Sequence, residues 1–324
     1  MSRLFDISRC VAGRDLPGVD AFKIDAAVAE IQQVGRFVRP VQLFARHGAK
    51  WNWASFLNDE AFPELLTEPF TFLDVFGGTG IVSFVVNTGD TSDLLARSYW
   101  NDKDWNAFNV FRCLQKKPDE LILTLKELAD DLLHMDDRTR FARLKEMVRD
   151  ESLDWYARAA AFTLQQKLSF GGKGRNPALS KNMQEKDALR SRMERHFQVV
   201  PVWAQAFAGV KLMNTDFETA IGRYLEAERS RPETRVVFLD PPYMGAAASA
   251  EYDVTMSNDE HRKLAGIIKR RENNYIMTHS DNAEFRSIYG RGDEEWEVKV
   301  NYTLNANHSY ARPEVLALWK QRGN

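Results

Sequence analysis

The feature that most constrains the fold of this chain is a short apolar run that stops at two consecutive prolines. Residues 236–239 read Val-Val-Phe-Leu, and Asp240, Pro241, Pro242 and Tyr243 follow directly. Such a run is too short and too rich in β-branched residues for a helix, and it is typical of a parallel strand buried on both faces. Because proline donates no backbone hydrogen bond and has a fixed φ, the strand must end there. We therefore predict an α/β fold that contains this strand.

Side chains at the carboxyl end of such a strand lie in the crevice where open α/β sheets bind their ligands. Here they comprise a carboxylate that accepts hydrogen bonds, a rigid proline backbone and a flat aromatic ring. This set suits a planar group that carries an amine, such as a nucleobase. The same residues also fit an ordinary strand followed by a proline turn, so the interpretation depends on partners elsewhere in the chain.

A second apolar run leads into a glycine-rich turn. Residues 70–76 read Phe-Thr-Phe-Leu-Asp-Val-Phe, and residues 77–80 are Gly-Gly-Thr-Gly. A strand that passes through glycines into a helix presents backbone N–H groups to a nucleotide-like ligand without obstruction by a Cβ atom. The turn lacks the Lys-Ser/Thr pair of a P-loop and the third glycine of the NAD fingerprint, so we assign it neither function. The candidate ligand-binding residues of this segment are Asp74, Phe76, Gly78 and Gly80.

Acidic residues follow two further predicted strands. Asp102 ends the run 94–101, where an acid can bind the ribose hydroxyls of an adenosyl ligand; alternatively, it caps a helix that starts near residue 105. Asp216 comes just after a short strand at 211–213. Upstream, Lys50 follows small residues and could bring an ammonium close to an anionic group, although an ordinary loop with a solvated lysine explains it equally well.

Composition narrows the partners of the chain. A formal net charge of -2 excludes a global basic field, so any surface for nucleic acid must be local. Cys10 and Cys113 have neither metal nor redox spacing, and the 6 histidines form no zinc pattern, so we expect no metal and a reducing, intracellular (cytoplasmic) setting. No signal peptide or membrane span is predicted.

A mainly helical stretch, residues 116–200, interrupts the strand pattern with helices expected near 120–133, 138–148 and 154–168. Residues 158–195 contain nine lysines and arginines against three acids. Within them lies the loop 169–177, where Lys173, Arg175 and Asn176 are candidates for DNA contact. A solvated helical face is the alternative for the individual charges.

We divide the chain into an N-terminal extension (1–40) with a helix over 20–34, a catalytic domain (41–115 and 201–324), and the inserted region 116–200. Runs at 296–304 and 315–319 are expected to form an antiparallel pair at the sheet edge.

In this order, the segments resemble the Dam-type (D12 class) DNA adenine-N6 methyltransferases. The segment 46–50 looks like that family's Trp-x-Gly-Gly-Lys element, with Arg46 in place of Trp and Ala49 in place of Gly as departures. The segment 76–80 matches its Phe-x-Gly-x-Gly motif, preceded by Asp74 rather than the usual glutamate. The segment 240–243 is its Asp-Pro-Pro-Tyr motif, and the run 313–316 is similar to its last strand.

The resemblance implies a Rossmann-like methyltransferase sheet, with the helical insertion as the target-recognition region. It implies methyl transfer from S-adenosylmethionine to N6 of an adenine flipped out of double-stranded DNA. Residues Asp240, Pro241, Pro242 and Tyr243 would be catalytic. The methyl donor would be held by Lys50, Asp74, Phe76, Gly78, Gly80, Asp102 and Asp216. A monomer that needs no metal is the simplest form. Two other interpretations stay open, namely methylation of another amine (cytosine N4 or an adenine in RNA) and a catalytically silent DNA-binding relative. Neither the recognition sequence nor a restriction partner can be predicted from the sequence.

Overall fold

The computed structural model describes residues 3–6, 41–46, 48–169, 186–244, 255–305 and 308–322. The strands, in chain order, are β1 (Arg3–Asp6), β2 (Phe70–Asp74), β3 (Leu95–Asn101), β4 (Lys211–Met213), β5 (Thr234–Leu239), β6 (Asn274–Ser280), β7 (Glu294–Asn305) and β8 (His308–Trp319). They form one 8-stranded sheet in the order β1-β7-β8-β6-β5-β2-β3-β4. The sheet is parallel except where β8 pairs with β6 and β7.

The helices, in chain order, are α1 (Ile81–Thr88), α2 (Trp105–Lys116), α3 (Pro118–Leu133), α4 (Asp137–Arg149), α5 (Trp155–Leu168), α6 (Lys186–Phe207), α7 (Phe217–Ala227), α8 (Asn258–Arg270) and α9 (Ala283–Tyr289). Ahead of β2, a 3-10 helix (Lys50–Trp53) continues through the short helices Ala54–Phe56 and Phe62–Leu65, with a π-helical turn between them. Within the described residues, no helix is both long and apolar enough to cross a membrane.

Each face of the sheet carries its own apolar core, because alternate side chains of a strand point to opposite faces. In β2, Phe70 and Phe72 pack on one face with residues of α1 to α6. Leu73 packs on the other face, against residues of α7, α8 and α9. The neighbouring strand β5 divides in the same way, with Phe238 on the first face and Val237 on the second. Burial on both faces explains why these strands read as continuous apolar runs.

The strand order reverses between β2 and β5. From β2 the chain continues through β3 and β4 toward one edge of the sheet. It then returns, and β5 pairs with the other side of β2. In this register Asp74 lies beside Phe238. Ligands of open α/β sheets bind at the carboxyl ends of the strands where such a reversal occurs. The glycine turn after β2 and the Asp-Pro-Pro-Tyr segment after β5 leave the sheet at this point.

Most of the predicted elements are confirmed, and some differences are informative. Strand β1 was not predicted, and it pairs with β7, so the antiparallel pair β7–β8 does not form the outer edge of the sheet. The proposed domain boundary after residue 200 falls inside α6, whose Trp203 and Phe207 pack in the same core as Leu121 and Leu125 of α3. The helix expected at 20–34 lies outside the described residues.

Candidate active site

The carboxylate of Asp240 lies immediately after β5 and receives two hydrogen bonds from distant parts of the chain. Lys50 Nζ is 2.7 Å from Asp240 Oδ1, and Thr278 Oγ1 donates to the same oxygen at 2.8 Å. No hydrogen bond reaches Oδ2 from the part of the chain that the structure describes. Burial raises the pKa of Asp240, while Lys50 and Thr278 act in the opposite direction. The arrangement leaves one oxygen of a positioned carboxylate available as an acceptor.

Lys50, a predicted cofactor-binding residue, lies beside Asp240. It starts the 3-10 helix, its side chain is only 4% exposed, and its ammonium donates to Gly48 O at 3.3 Å as well as pairing with Asp240. The same ammonium is 4.8 Å from the ring centroid of Tyr243. Lys50 therefore belongs to the surroundings of the Asp-Pro-Pro-Tyr segment, although it also lines the cavity described below.

The side chain of Tyr243 is held through both its hydroxyl and its ring. Its hydroxyl donates to Glu314 Oε2 at 2.8 Å, and its ring stacks on that of His279 with centroids 4.6 Å apart and an interplanar angle of 29°. Glu314 comes from β8 and His279 from β6, so two neighbouring strands fix this ring.

The glycine turn after β2 has separate steric reasons for its glycines. A Cβ atom on Gly77 would lie 1.9 Å from Trp100 Nε1, so only glycine fits against that ring. Gly78 and Gly80 have φ values of 50° and 76°, a left-handed conformation that glycine adopts without strain. Gly80 is the N-cap of α1, whose first two residues, Ile81 and Val82, line the cavity described below.

Asp102 organises the turn instead of capping α2, whose N-cap is Asp104. Its Oδ2 accepts from Gly78 N at 2.8 Å and from Arg46 Nη1 at 3.4 Å, and its Oδ1 accepts from Asp104 N at 2.7 Å. Burial raises the pKa of Asp102, and Arg46 opposes that shift. Because an ionised carboxylate can accept about four hydrogen bonds, one position on Oδ1 is left for a ligand.

Asp74, the last residue of β2, is a buried acid on the cavity wall. Its Oδ2 accepts a hydrogen bond from Ser83 Oγ at 3.0 Å. Burial raises the pKa of Asp74 to about 8, and the nearby Asp240 and Asp102 add to the shift. The group is therefore mostly protonated at neutral pH.

Asp216 is also at the cavity, but its carboxylate is the N-cap of α7. Oδ1 accepts from Thr219 N at 2.9 Å, and Oδ2 accepts from Thr219 Oγ1 at 2.8 Å. These hydrogen bonds hold the pKa of Asp216 below its usual value. The position that sequence reasoning assigned to ligand binding thus has a structural use as well.

One cavity joins these features. Its volume, including the open mouth, is about 1060 Å³. Of the predicted site residues, those that line it are Lys50, Asp74, Phe76, Gly78, Asp102, Asp216, Asp240, Pro241 and Pro242. Gly80 and Tyr243 lie next to it in the chain but are not part of its wall. Lys173, Arg175 and Asn176 lie outside the described residues. The described part of the chain contains no group of three or more His, Cys, Asp or Glu arranged to bind a metal.

Four residues of the site were missed by sequence reasoning, namely Ser83, Thr278, His279 and Glu314. Thr278 and His279 lie at the carboxyl end of a predicted strand. Two polar residues at such an end could have been predicted as site residues. Glu314 directly precedes the apolar run of β8, and an acid at that position could likewise have been predicted as a site residue. Ser83 lies inside a helix and gave none.

Comparison with known families adds an independent finding. The sequence model of the family "D12 class N6 adenine-specific DNA methyltransferase" matches residues 47–304, a span that contains the glycine turn, Asp240 and its partners Lys50 and Thr278. No curated protein matches the chain significantly. The family match covers most of the chain and agrees with the carboxylate and aromatic ring found after β5. The chain belongs to the D12 class and is an adenine-specific DNA methyltransferase.

Proposed function

We propose that the enzyme transfers a methyl group from S-adenosylmethionine to N6 of an adenine that has been flipped out of a DNA duplex. The observation that carries this proposal is the position of the Asp240 carboxylate and the hydrogen bonds that it accepts. Its Oδ1 is held by Lys50 and Thr278 at 2.7 and 2.8 Å, and it adjoins the ring of Tyr243 and the open cavity.

The cavity fits the proposed methyl donor in its donor set. Three carboxyl groups, those of Asp74, Asp102 and Asp240, line it together with the first turn of α1, represented by Ile81 and Val82. When bound, S-adenosylmethionine supplies an electrophilic methyl group on a positively charged sulfur. The carboxylate of Asp102 favours such a cationic ligand, whereas Asp240 is paired with Lys50 and Asp74 is mostly protonated, so these two add little net charge. Asp102 retains one acceptor position for a hydroxyl. Phe76 and Phe217, with ring centroids 6.1 Å apart, offer apolar contacts for a purine.

Asp240 acts on the acceptor amine in this proposal. The N6 lone pair of adenine is delocalised into the ring, so the amine is a poor nucleophile. Hydrogen bonds from the N6 hydrogens to Asp240 Oδ2 and to the Pro241 carbonyl would localise the lone pair and stabilise the positive charge that develops on nitrogen. Lys50 and Thr278 favour the ionised form of Asp240 and orient it, although the Lys50 ammonium also opposes a nearby positive charge.

The base can reach this site only outside the helical stack, because its N6 is inaccessible within a duplex. The ring of Tyr243 offers a stacking surface that offsets part of the cost of about a few kcal/mol for flipping. The basic loop, with Lys173, Arg175 and Asn176, is proposed to contact the phosphate backbone, and the region 116–200 to select the sequence.

Nucleoside analysis tests the proposal directly. The purified chain is incubated with S-adenosylmethionine and a duplex DNA library, and the digested nucleosides are separated by mass spectrometry. We expect N6-methyladenine, and none with single-stranded RNA of matching sequences. N4-methylcytosine as the product, or no product from DNA that offers all short sequences, would exclude the proposal. Sequencing of the methylated library then identifies the recognition sequence.

A further inference from the structure

Three aromatic rings form a stack behind the Asp-Pro-Pro-Tyr segment. The ring of His279 lies between those of Phe285 and Tyr243, with centroid distances of 4.7 Å and 4.6 Å and interplanar angles of 13° and 29°. His279 and Phe285 are fully buried, whereas Tyr243 is partly exposed. Offset stacks at these distances are favourable and resist tilting of a ring. Tyr243 is therefore the outer member of a stack that is anchored in the core.

The nitrogens of His279 hold the backbone as well. Nε2 is 3.3 Å from Met244 N, which donates to it, and Nδ1 is 2.9 Å from Ser280 O. An Nε2 that accepts and an Nδ1 that donates require the neutral Nδ1–H tautomer. Burial lowers the pKa of His279 to about 3, in agreement with a neutral ring.

Strand β6 consequently contacts both ends of one short segment. Thr278 Oγ1 donates to Asp240 at its start, and His279 binds Tyr243 and Met244 at its end. The proline pair between them is rigid, so fixing the two ends fixes the orientation of the whole segment relative to the sheet.

We propose that His279 is a positioning residue that sets the plane of Tyr243, so that a flipped adenine extends the stack Phe285–His279–Tyr243. This inference rests on the proposed function. His279 touches neither base nor methyl donor in this arrangement, and it acts through the ring of Tyr243 and the amide of Met244.

Two substitutions separate its two contacts. His279→Phe keeps a flat ring in the stack but cannot accept from Met244 N, whereas His279→Asn provides an acceptor but no ring. Because an aromatic pair contributes modestly, we expect His279→Asn to lower kcat by about 2- to 10-fold with an unchanged KM for S-adenosylmethionine, and His279→Phe to stay within about twofold of wild type. Tyr289→Phe is the matched control, since Tyr289 is buried in the same cluster and this change keeps its ring while removing the hydrogen bond between its hydroxyl and His261 Nδ1. It should lower the melting temperature without lowering kcat.

Amide hydrogen exchange tests positioning without any methyl transfer. Pro241 and Pro242 have no amide hydrogen, so a peptide across this segment reports mainly on Tyr243 and Met244. We expect faster exchange at Met244 in His279→Phe than in wild type, and near wild-type exchange in His279→Asn. If the wild-type chain makes no N6-methyladenine, the proposed function fails, yet the exchange result still shows whether His279 holds the amide of Met244.

The inference is overturned if His279→Asn has wild-type kcat, or if exchange at Met244 is the same in all three proteins. Should His279→Asn not fold, Phe285→Leu replaces it, since this change weakens the support beneath His279 without touching Tyr243. It should lower kcat in the same direction, and wild-type kcat in this variant would also contradict the proposal.

Discussion

At the residue scale, Asp240 is the group on which the proposed chemistry depends. Asp240→Asn removes the charge that stabilises a positive N6, and the new amide presents a donor where an acceptor is needed. We expect kcat to fall by about 10²-fold or more, the usual cost of losing one such electrostatic contact. Binding of S-adenosylmethionine, measured by calorimetry, should change little. If the Asp240→Asn enzyme methylates at the wild-type rate, Asp240 has no part in the mechanism.

Asp74 makes stability depend on pH. Its folded-state pKa is raised to about 8 from 3.8. Between these values the unfolded chain loses a proton that the folded chain keeps, so stability falls as pH rises, by up to about 1.4 kcal/mol per pH unit. Asp74→Asn keeps an acceptor for Ser83 Oγ and removes this titration. The variant should therefore gain melting temperature relative to wild type, with a larger gain at pH 8 than at pH 5, as measured by calorimetry.

Asp216→Asn is the control of opposite sign. The folded-state pKa of Asp216 is lowered, so its contribution to stability is present above the ordinary pKa of 3.8 and lost only in more acidic solution. Its effect on melting temperature should be constant between pH 5 and pH 8. A constant effect for Asp74→Asn over the same range would show that Asp74 does not titrate there.

At the scale of elements, strand β6 presents Thr278 to Asp240 because Met277 pairs with Leu239 in the parallel register of β6 and β5. Thr278→Val keeps the shape of the side chain and removes the donor. A hydrogen bond to a charged group is comparatively strong, so we expect kcat to fall by roughly tenfold or more. The loss also raises the pKa of Asp240, since Thr278 lowers it.

Because a proton on Oδ2 of Asp240 would prevent it from accepting a hydrogen bond from N6 and would remove the stabilising charge, the acidic limb of the rate profile should move to higher pH in Thr278→Val. Thr278→Ser retains the hydroxyl and is the matched control, with a profile close to that of wild type. Identical limbs in the Val and Ser variants would mean that this hydrogen bond does not tune Asp240.

At the scale of the whole molecule, the sequence was sufficient to predict which strands are followed by candidate site residues. It was not sufficient to predict which of these residues contact one another. The apolar runs of β2 and β5 and the glycine turn were recognisable because burial on both faces and positive φ leave local traces. The pairing of Lys50 with Asp240 joins residues far apart in sequence, and it depends on a strand order that no local pattern encodes. The contacts of Glu314 and His279 likewise follow from the registers of β8 and β6.

Recognition of DNA involves the whole chain, because the net charge is -2 and attraction to phosphate must come from a local surface. If Lys173 and Arg175 each neutralise one phosphate, replacing both by Ala should reduce the slope of log Kd against log salt by about 1.8, since each phosphate contact contributes about 0.9. Binding isotherms of a duplex with the recognition sequence, at four or five salt concentrations, measure this slope.

The matched control is Arg229→Ala. Arg229 is exposed just beyond the end of α7, a helix that starts at the cavity. Its loss removes one positive charge from the same molecule and should leave the slope unchanged. An equal reduction per charge in both proteins would mean that the attraction is set by net charge. A reduction only in the Lys173/Arg175 variant would place the phosphate contacts on the basic loop.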